Sequence, residues 1–144
     1  MNTRTIQKKI FDRLLSNGKV VVEKTENEVI VATDGTWAAK IPQKNVCFSL
    51  EKCTEYKEFS ALFAENKEDE PLSVTDYMRK ASYDSVLVKL VPQSGDFEVW
   101  VQKKLLDLCG DINLYGAGPL SPVKVRNYAT DKIDAIIMPV RITP

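Results

Sequence analysis

The chain has 144 residues, of which 44% are hydrophobic and 28% charged, and its 20 basic and 20 acidic side chains give zero formal net charge. This length and composition are typical of one globular domain, placed at residues 1–144, and exclude a collagen-like or disordered chain. Without net charge, a contact with nucleic acid needs a local basic patch. No apolar run approaches the roughly 20 residues of a membrane span and no signal-peptide pattern occurs, so we expect a cytoplasmic protein without membrane contact.

The first third of the sequence predicts a helix followed by three strands. Apolar residues from Ile6 to Leu14 fall on one face at helical spacing, and Asn17-Gly18 is a typical helix stop. The β-branched runs that follow are separated by polar residues and by an Asp34-Gly35 turn. The predicted helix covers residues 5–15, and the predicted strands cover residues 19–24, 28–33 and 37–41.

The middle of the sequence predicts a second helix and a charged loop. Tyr56, Phe59, Leu62 and Phe63 recur at helical spacing between residues 49 and 65. The loop covers residues 66–71 and ends at a proline. We interpret its acidic residues as a solvated surface rather than as a catalytic or metal site.

The second half of the sequence repeats the order of the first. The predicted strands cover residues 72–77, 86–91, 112–115, 123–128 and 134–140, and a helix over residues 99–109 is stopped by Gly110. A helix followed by three strands thus occurs twice. We therefore predict an α+β fold of two similar halves, each a helix plus antiparallel strands, with helices on one face and sheets on the other. Half one covers about residues 1–65 and half two about residues 72–142.

The residue types argue against an enzyme. The sequence has no histidine, which removes the commonest general base and the serine–histidine and cysteine–histidine nucleophile pairs. Cys47, Cys53 and Cys109 follow no zinc or redox spacing, so we interpret them as reduced thiols packed as small hydrophobes. Residues 116–119 lack the lysine and hydroxyl residue of a phosphate loop and are predicted to form a turn. We expect neither a metal nor a cofactor.

Three segments in the last third carry a resemblance to a known family. Phe97 with residues 105–108 (Leu-Leu-Asp-Leu), residues 118–123 (Gly-Pro-Leu-Ser-Pro-Val) and residues 136–142 (Ile-Ile-Met-Pro-Val-Arg-Ile) follow one another in order. Together they resemble the end of the third domain of the bacterial DNA polymerase III sliding clamp, the β subunit. Residues 30–35 resemble a strand and turn of that clamp's middle domain. The resemblance therefore implies a single DNA-clamp-like domain.

The resemblance also implies a function and two sets of site residues. In that family, three such domains per chain form head-to-tail dimers that encircle DNA, with helices lining the hole. Partner proteins dock short peptides in a cleft between the Asp-Gly loop of one domain and the terminal Met-Pro segment of the next. The implied cleft residues here are Thr33, Gly35, Met138, Pro139, Val140, Arg141 and Ile142. The implied DNA-facing residues are Lys8, Lys9, Lys103 and Lys104.

This chain differs from the family at three points. Residues 36–38 (Thr-Trp-Ala) stand where the family usually has an aromatic residue or histidine, an arginine and a leucine. Residues 143–144 extend the terminus, and one domain replaces three. Packing in the core is the alternative reading for Ile136 and Ile137, and a solvated helix face is the alternative for the four lysines. Met138 fits either a core or a peptide site.

Three hypotheses follow. The first is a non-enzymatic clamp-like module of DNA replication or repair, which forms a head-to-tail homo-oligomer, docks replication proteins through short peptides, or contacts double-stranded DNA without sequence preference. The second is a mobile-element regulator or decoy that uses a clamp-like scaffold to bind an unrelated protein. The third is a hydrolase that uses carboxylates and a metal ion.

Overall fold

The computed structural model describes residues 3–56, 58–82, 85–109, 113–127 and 129–142. Within these ranges the chain forms three α-helices and ten β-strands, which confirms the predicted α+β class. The helices are α1 (Thr3–Leu15), α2 (Phe59–Leu62) and α3 (Lys103–Cys109). The strands are β1 (Val21–Lys24), β2 (Glu28–Ala32), β3 (Trp37–Pro42), β4 (Thr54–Glu55), β5 (Glu70–Ser82), β6 (Ser85–Pro92), β7 (Val99–Gln102), β8 (Asn113–Gly116), β9 (Val123–Arg126) and β10 (Ile133–Ile137).

One mixed sheet holds all the strands of the described ranges. Their order across the sheet is β4-β1-β2-β3-β10-β9-β8-β5-β6-β7. Neighbouring strands are antiparallel except β4, which pairs in parallel with β1. The short β4 is also held by the ion pair between Lys24 Nζ and Glu55 Oε1, at 3.2 Å. Half-one strands therefore join half-two strands at the β3–β10 pair, in the middle of the sheet.

The central strands are apolar on both faces. In β2, Val29 and Val31 belong to the larger hydrophobic cluster, whereas Ile30 and Ala32 belong to a smaller one. Since successive side chains of a strand point to opposite faces, the two clusters lie on the two faces of the sheet. We call the face of the larger cluster the inner face and the other the outer face.

Helices α1 and α3 both pack on the inner face. Ile6 and Ile10 of α1 join the same cluster as Leu105 and Cys109 of α3. The predicted stop of α1 is confirmed, because Asn17 has a φ of 60° and the Gly18 N–H donates to the Arg13 carbonyl at 2.8 Å. The inner face is therefore the main core of the molecule.

The three cysteines are free thiols, but they differ in burial. Cys109 is packed in the core as predicted, and burial raises the pKa of its thiol to about 11. Cys53 is half-buried, whereas Cys47 is exposed. The prediction that all three pack as small hydrophobes is therefore wrong for Cys47.

The sheet curls between β10 and β7. The Val140 N–H donates to the Trp100 carbonyl of the edge strand β7 at 2.7 Å. In a flat sheet, five strand spacings would separate β10 from β7 by about 24 Å. The three residues from Ile137 to Val140 span at most about 10 Å. The part of the sheet from β10 to β7 therefore bends back until β7 reaches the segment that follows β10.

Three element predictions are wrong. The helix predicted between residues 49 and 65 is limited to the single turn α2, because residues 54–55 extend the sheet instead. The helix predicted over residues 99–109 begins at Lys103, because Val99 and Val101 alternate into the core as a strand. The strand predicted over residues 134–140 ends at Ile137. Gly110, the strand ends predicted at Ile112 and Tyr128, and the extension at residues 143–144 lie outside the described residues.

The repeated order of elements is present with an insertion. The predicted arrangement of two similar halves is not confirmed, because one sheet holds all ten strands and α2 packs on the face opposite α1 and α3. Helix α1 precedes β1, β2 and β3, and α3 precedes β8, β9 and β10. The four strands from β4 to β7 and the turn α2 stand between these two runs. In the part of the chain that the structure describes, no helix has the length and apolar character needed to cross a membrane.

Candidate functional site

An open groove on the outer face has a volume of about 830 Å³. Its floor comes from Val21, Ala32 and Thr33, at adjoining ends of β1 and β2. One wall is formed by residues 54–56 and 58–62, and Gly35 closes the opposite end. Lys19, Glu55 and Glu58 are the charged residues of the lining. This cavity, called the outer groove below, is thus an apolar trough with a charged margin.

Aromatic and aliphatic side chains dominate the wall of the outer groove. The rings of Tyr56 and Phe59 contact each other with centroids 4.9 Å apart. Leu62, one turn further, is 37% exposed. A hydrogen bond to Glu58 raises the pKa of the Tyr56 hydroxyl. These residues offer apolar contact area together with one hydroxyl group.

Residues 58–62 of the wall belong to a segment that crosses the outer face, residues 58–69, which we call the outer strap. Its Phe63 is only 6% exposed and packs on Ile30, Ala38 and Ile136 of three neighbouring strands. The Nζ atom of Lys40 lies 4.8 Å from the Phe63 ring centroid, a cation–π contact. Phe63 therefore fixes the strap to the middle of the sheet.

A buried carboxylate holds the start of the outer strap. Glu23 of β1 is only 8% exposed. Its Oε2 accepts the backbone N–H of Ser60 at 3.1 Å, and its Oε1 accepts the Ser60 hydroxyl at 3.3 Å. The amide is in the first turn of α2, where helix N–H groups lack partners within the helix. Glu23, a residue of the sheet, thus caps the start of α2, which has no capping side chain of its own.

Two ion pairs hold the end of the outer strap on β9. Arg126 Nη2 lies 3.0 Å from Glu65 Oε1, near solvent. Lys124 Nζ lies 2.5 Å from Asp69 Oδ2, with the two side chains 6% and 7% exposed. Within the described residues, Asp69 Oδ1 is buried without a hydrogen-bond partner. The predicted solvated loop is therefore only partly solvated, since Asp69 anchors it to the sheet.

The predicted Asp34-Gly35 turn is present beside the groove. The Thr36 N–H and hydroxyl both donate to Asp34 Oδ1, at 3.1 and 2.6 Å, and Gly35 has a φ of 78°, which favours glycine. Burial acts to raise the pKa of the Asp34 carboxyl, but the Thr36 hydrogen bonds and the charges of Lys104 and Arg13 together lower it. The turn thus carries a firmly ionised carboxylate.

The structure brings together some of the predicted cleft residues. Thr33 and Gly35 line the outer groove, and the Met138 N–H donates to the Thr36 carbonyl at 2.8 Å, next to the same turn. Met138 packs on the outer-face cluster, as does Phe59. The other four predicted residues, Pro139, Val140, Arg141 and Ile142, do not line the groove, and Val140 binds β7 instead.

The four predicted DNA-facing lysines divide into two pairs. Lys9 of α1 and Lys104 of α3 line one cavity of about 240 Å³, together with Arg13, Asp34 and Trp37 among others. Lys8 is exposed and does not line that cavity. Lys103 pairs with Asp107 one turn later, at 2.9 Å. The structure therefore brings one lysine of each helix together, and not all four.

The wall residues of the outer groove were absent from the predicted site. The signal for them was the helical spacing of Tyr56, Phe59 and Leu62, which predicted an amphipathic helix rather than a wall.

Among the described residues, no group of three His, Cys, Asp or Glu side chains is arranged to hold a metal ion. An apolar trough with hydroxyl and carboxylate groups at its margin is suited to binding side chains of a partner.

Comparison of the chain with models of protein families, with curated proteins and with solved structures finds no match. The resemblance to the sliding clamp therefore rests on the residues quoted above.

Proposed function

We propose that this protein is a clamp-like, non-enzymatic binding module whose outer groove docks a short apolar segment of a partner protein. The observation that carries the proposal is the open apolar groove between the Asp34-Gly35 turn and the outer strap. Two cleft residues implied by the clamp resemblance, Thr33 and Gly35, lie in it, and Met138 lies beside the same turn. Met138 is distant in sequence from the other two residues.

The volume and the lining of the groove suit apolar side chains of a ligand. Its volume of about 830 Å³ is within the usual range of ligand pockets, roughly 300–1,000 Å³. The exposed Leu62 and Tyr56 offer contact area to apolar side chains, and buried apolar anchors contribute most of the binding energy of such sites. The ligand we propose is therefore a segment with one or two large apolar residues, held by charged groups only at the margin.

The placement of the helices supports the clamp-like part of the proposal. Helices α1 and α3 pack on the inner face, and the groove is on the outer face. In the clamp family, the resemblance implies helices toward DNA and partner peptides outside. Lys9 and Lys104 would then face double-stranded DNA, and head-to-tail assembly of six copies would form the ring. A role in DNA replication or repair follows from this reading.

A regulator or decoy with a clamp-like scaffold is the second candidate. The observation that favours it is the hydrogen bond from Met138 to Thr36, which joins the terminal segment to the Asp34-Gly35 turn within one chain. A monomer could therefore form the groove without a neighbour. Light scattering after size exclusion distinguishes the two: a closed ring of six supports the clamp, and a monomer that still binds peptide supports the scaffold.

The groove itself is tested by a pair of matched substitutions. Random short peptides displayed on phage are selected on the wild-type protein, and the affinity of the enriched peptides is then measured for Leu62→Glu and Leu120→Glu. Leu62 lines the groove, whereas Leu120, 56% exposed, lies in the turn between β8 and β9. We expect Leu62→Glu to weaken binding at least about tenfold, because it places a charge at an apolar contact.

Leu120→Glu is expected to leave peptide affinity unchanged. Thermal unfolding of both variants checks that neither loses its fold. Equal affinities for the two variants, or the absence of any enriched peptide, would show that the outer groove is not the docking site.

A further inference from the structure

A second cavity lies between the two inner helices and the Asp34-Gly35 turn, with a volume of about 240 Å³. Three cationic side chains line it: Lys9 and Arg13 from α1, and Lys104 from α3. Trp37 and Thr36 lie at the base of the turn that completes it. We call this cavity the cationic pocket.

The fold brings these cations together from two helices. Arg13 is fixed in place, because its Nε donates to the Lys19 carbonyl at 2.7 Å and its Nη2 to the Thr33 carbonyl at 3.4 Å. Lys9 is one helical turn before Arg13, on the same side of α1. Lys104 reaches the cavity from a helix that is distant in sequence. Like charges that converge from separate elements repel one another unless an anion offsets them.

Asp34 offsets only part of this positive charge. One of its carboxylate oxygens, Oδ1, already accepts both hydrogen bonds from Thr36. One carboxylate against three cations leaves an excess of two positive charges around the pocket. Tetrahedral oxyanions with several acceptor oxygens suit such a set, since arginine and lysine form short, charge-assisted hydrogen bonds to phosphoryl oxygens.

We propose that the cationic pocket binds a phosphoryl group through Lys9, Arg13 and Lys104. The group can belong to a free phosphate compound or to a nucleic-acid backbone, because both present the same oxygens. The phosphoryl site does not require the outer groove to bind a peptide, although the two cavities share Thr33 and the Asp34-Gly35 turn. Only the nucleic-acid alternative rests on the proposed clamp-like function. The proposal also differs from general binding by a basic helix face. It assigns binding to Lys9 and Lys104, and not to the adjacent Lys8 and Lys103.

The test uses inorganic pyrophosphate as the probe and Trp37 as the reporter. The sequence has two tryptophans, so Trp100→Phe leaves Trp37 as the only one. Titration at constant ionic strength is expected to change Trp37 fluorescence with a saturable, one-site curve. In this background, Lys9→Gln and Lys104→Gln are each expected to weaken binding about tenfold, the usual effect of losing a charge-assisted hydrogen bond.

Adjacent lysines supply the matched controls. Lys8→Gln and Lys103→Gln make the same change of net charge, but neither residue lines the pocket, so pyrophosphate affinity should be unchanged. Asp34→Asn removes the competing negative charge and keeps the oxygen that Thr36 needs, so binding should strengthen about threefold. If all four lysine variants weaken binding equally, or the titration is linear without saturation, the pocket is not a phosphoryl site.

The source of the phosphoryl group is distinguished by competition. A short DNA duplex that displaces pyrophosphate identifies a backbone contact, and a duplex that does not displace it identifies a free phosphate compound. Either result supports a phosphoryl site, provided that the Lys9 and Lys104 variants lower the affinity of the ligand concerned while the Lys8 and Lys103 variants do not.

Discussion

Replacing Asp69 with alanine is expected to lower the free energy of unfolding by about 3–5 kcal/mol, because the substitution leaves the buried charge of Lys124 without a partner. The Nζ atom of Lys124 lies 2.5 Å from the Asp69 carboxylate, and both side chains are more than nine-tenths buried. Breaking such a pair is costly even where the intact pair contributes little net stability. Unfolding in urea, followed by circular dichroism, measures the loss.

Glu65→Ala is the matched control for Asp69→Ala. Both residues are on the outer strap and both pair with a basic residue of β9, but Glu65 is exposed. Loss of an exposed ion pair should cost less than about 1 kcal/mol. The double variant Asp69→Ala/Lys124→Met should recover much of the stability, because it removes the isolated charge. Equal losses for Asp69→Ala and Glu65→Ala would contradict a buried anchor at this position.

The second large effect is expected at Phe63. Phe63→Ala should lower the free energy of unfolding by about 3 kcal/mol, since it removes the aromatic ring that fills the outer-face cluster. The loss should also free the outer strap from the sheet. Limited proteolysis should therefore cleave the variant between residues 57 and 69 faster than it cleaves the wild type, under conditions where both remain folded.

Phe11→Ala is the matched control for Phe63→Ala. Phe11 lies on α1 and is about half exposed, so its truncation should cost less than about 1 kcal/mol and should leave strap cleavage unchanged. If Phe63→Ala and Phe11→Ala had the same stability and the same proteolytic rate, Phe63 would not be the residue that holds the strap on the sheet.

Local sequence patterns were sufficient for the elements whose partners are close in the chain. The spacing from Ile6 to Leu14 predicted α1, and the Asp34-Gly35 turn joins two strands that pair with each other. Helix periodicity and hairpin turns depend on neighbours within a few residues. These features can therefore be recognised without knowledge of the rest of the fold.

Elements with distant partners could not be predicted in the same way. Phe59 and Phe63 are spaced as on a helix, but the surface that buries Phe63 comes from strands of both halves. Val99 and Val101 alternate with the period of a strand, but β7 is followed directly by α3. The sequence alone therefore did not show that the helix begins at Lys103. Such boundaries depend on tertiary contacts that outweigh local propensity.

The candidate site, too, could be predicted from the sequence only in part. The turn with Thr33 and Gly35 and the neighbouring Met138 were in the predicted cleft, whereas the wall of the outer groove was not. The wall forms only because the strap must cross the sheet from β4 to β5, a consequence of the strand order. Similarly, the sequence shows two pairs of lysines, and only the packing of α1 beside α3 selects Lys9 and Lys104.

The most direct test of the proposed docking site is amide chemical-shift mapping on the wild-type protein with an enriched phage-derived peptide. We expect the largest shifts at residues that line the outer groove or its turn, Ala32 to Gly35 and Phe59 to Leu62. Smaller changes should reach Met138 through its hydrogen bond to Thr36. Shifts confined to α1 and α3 on the inner face, or to the β5–β6 hairpin, would contradict the proposed site.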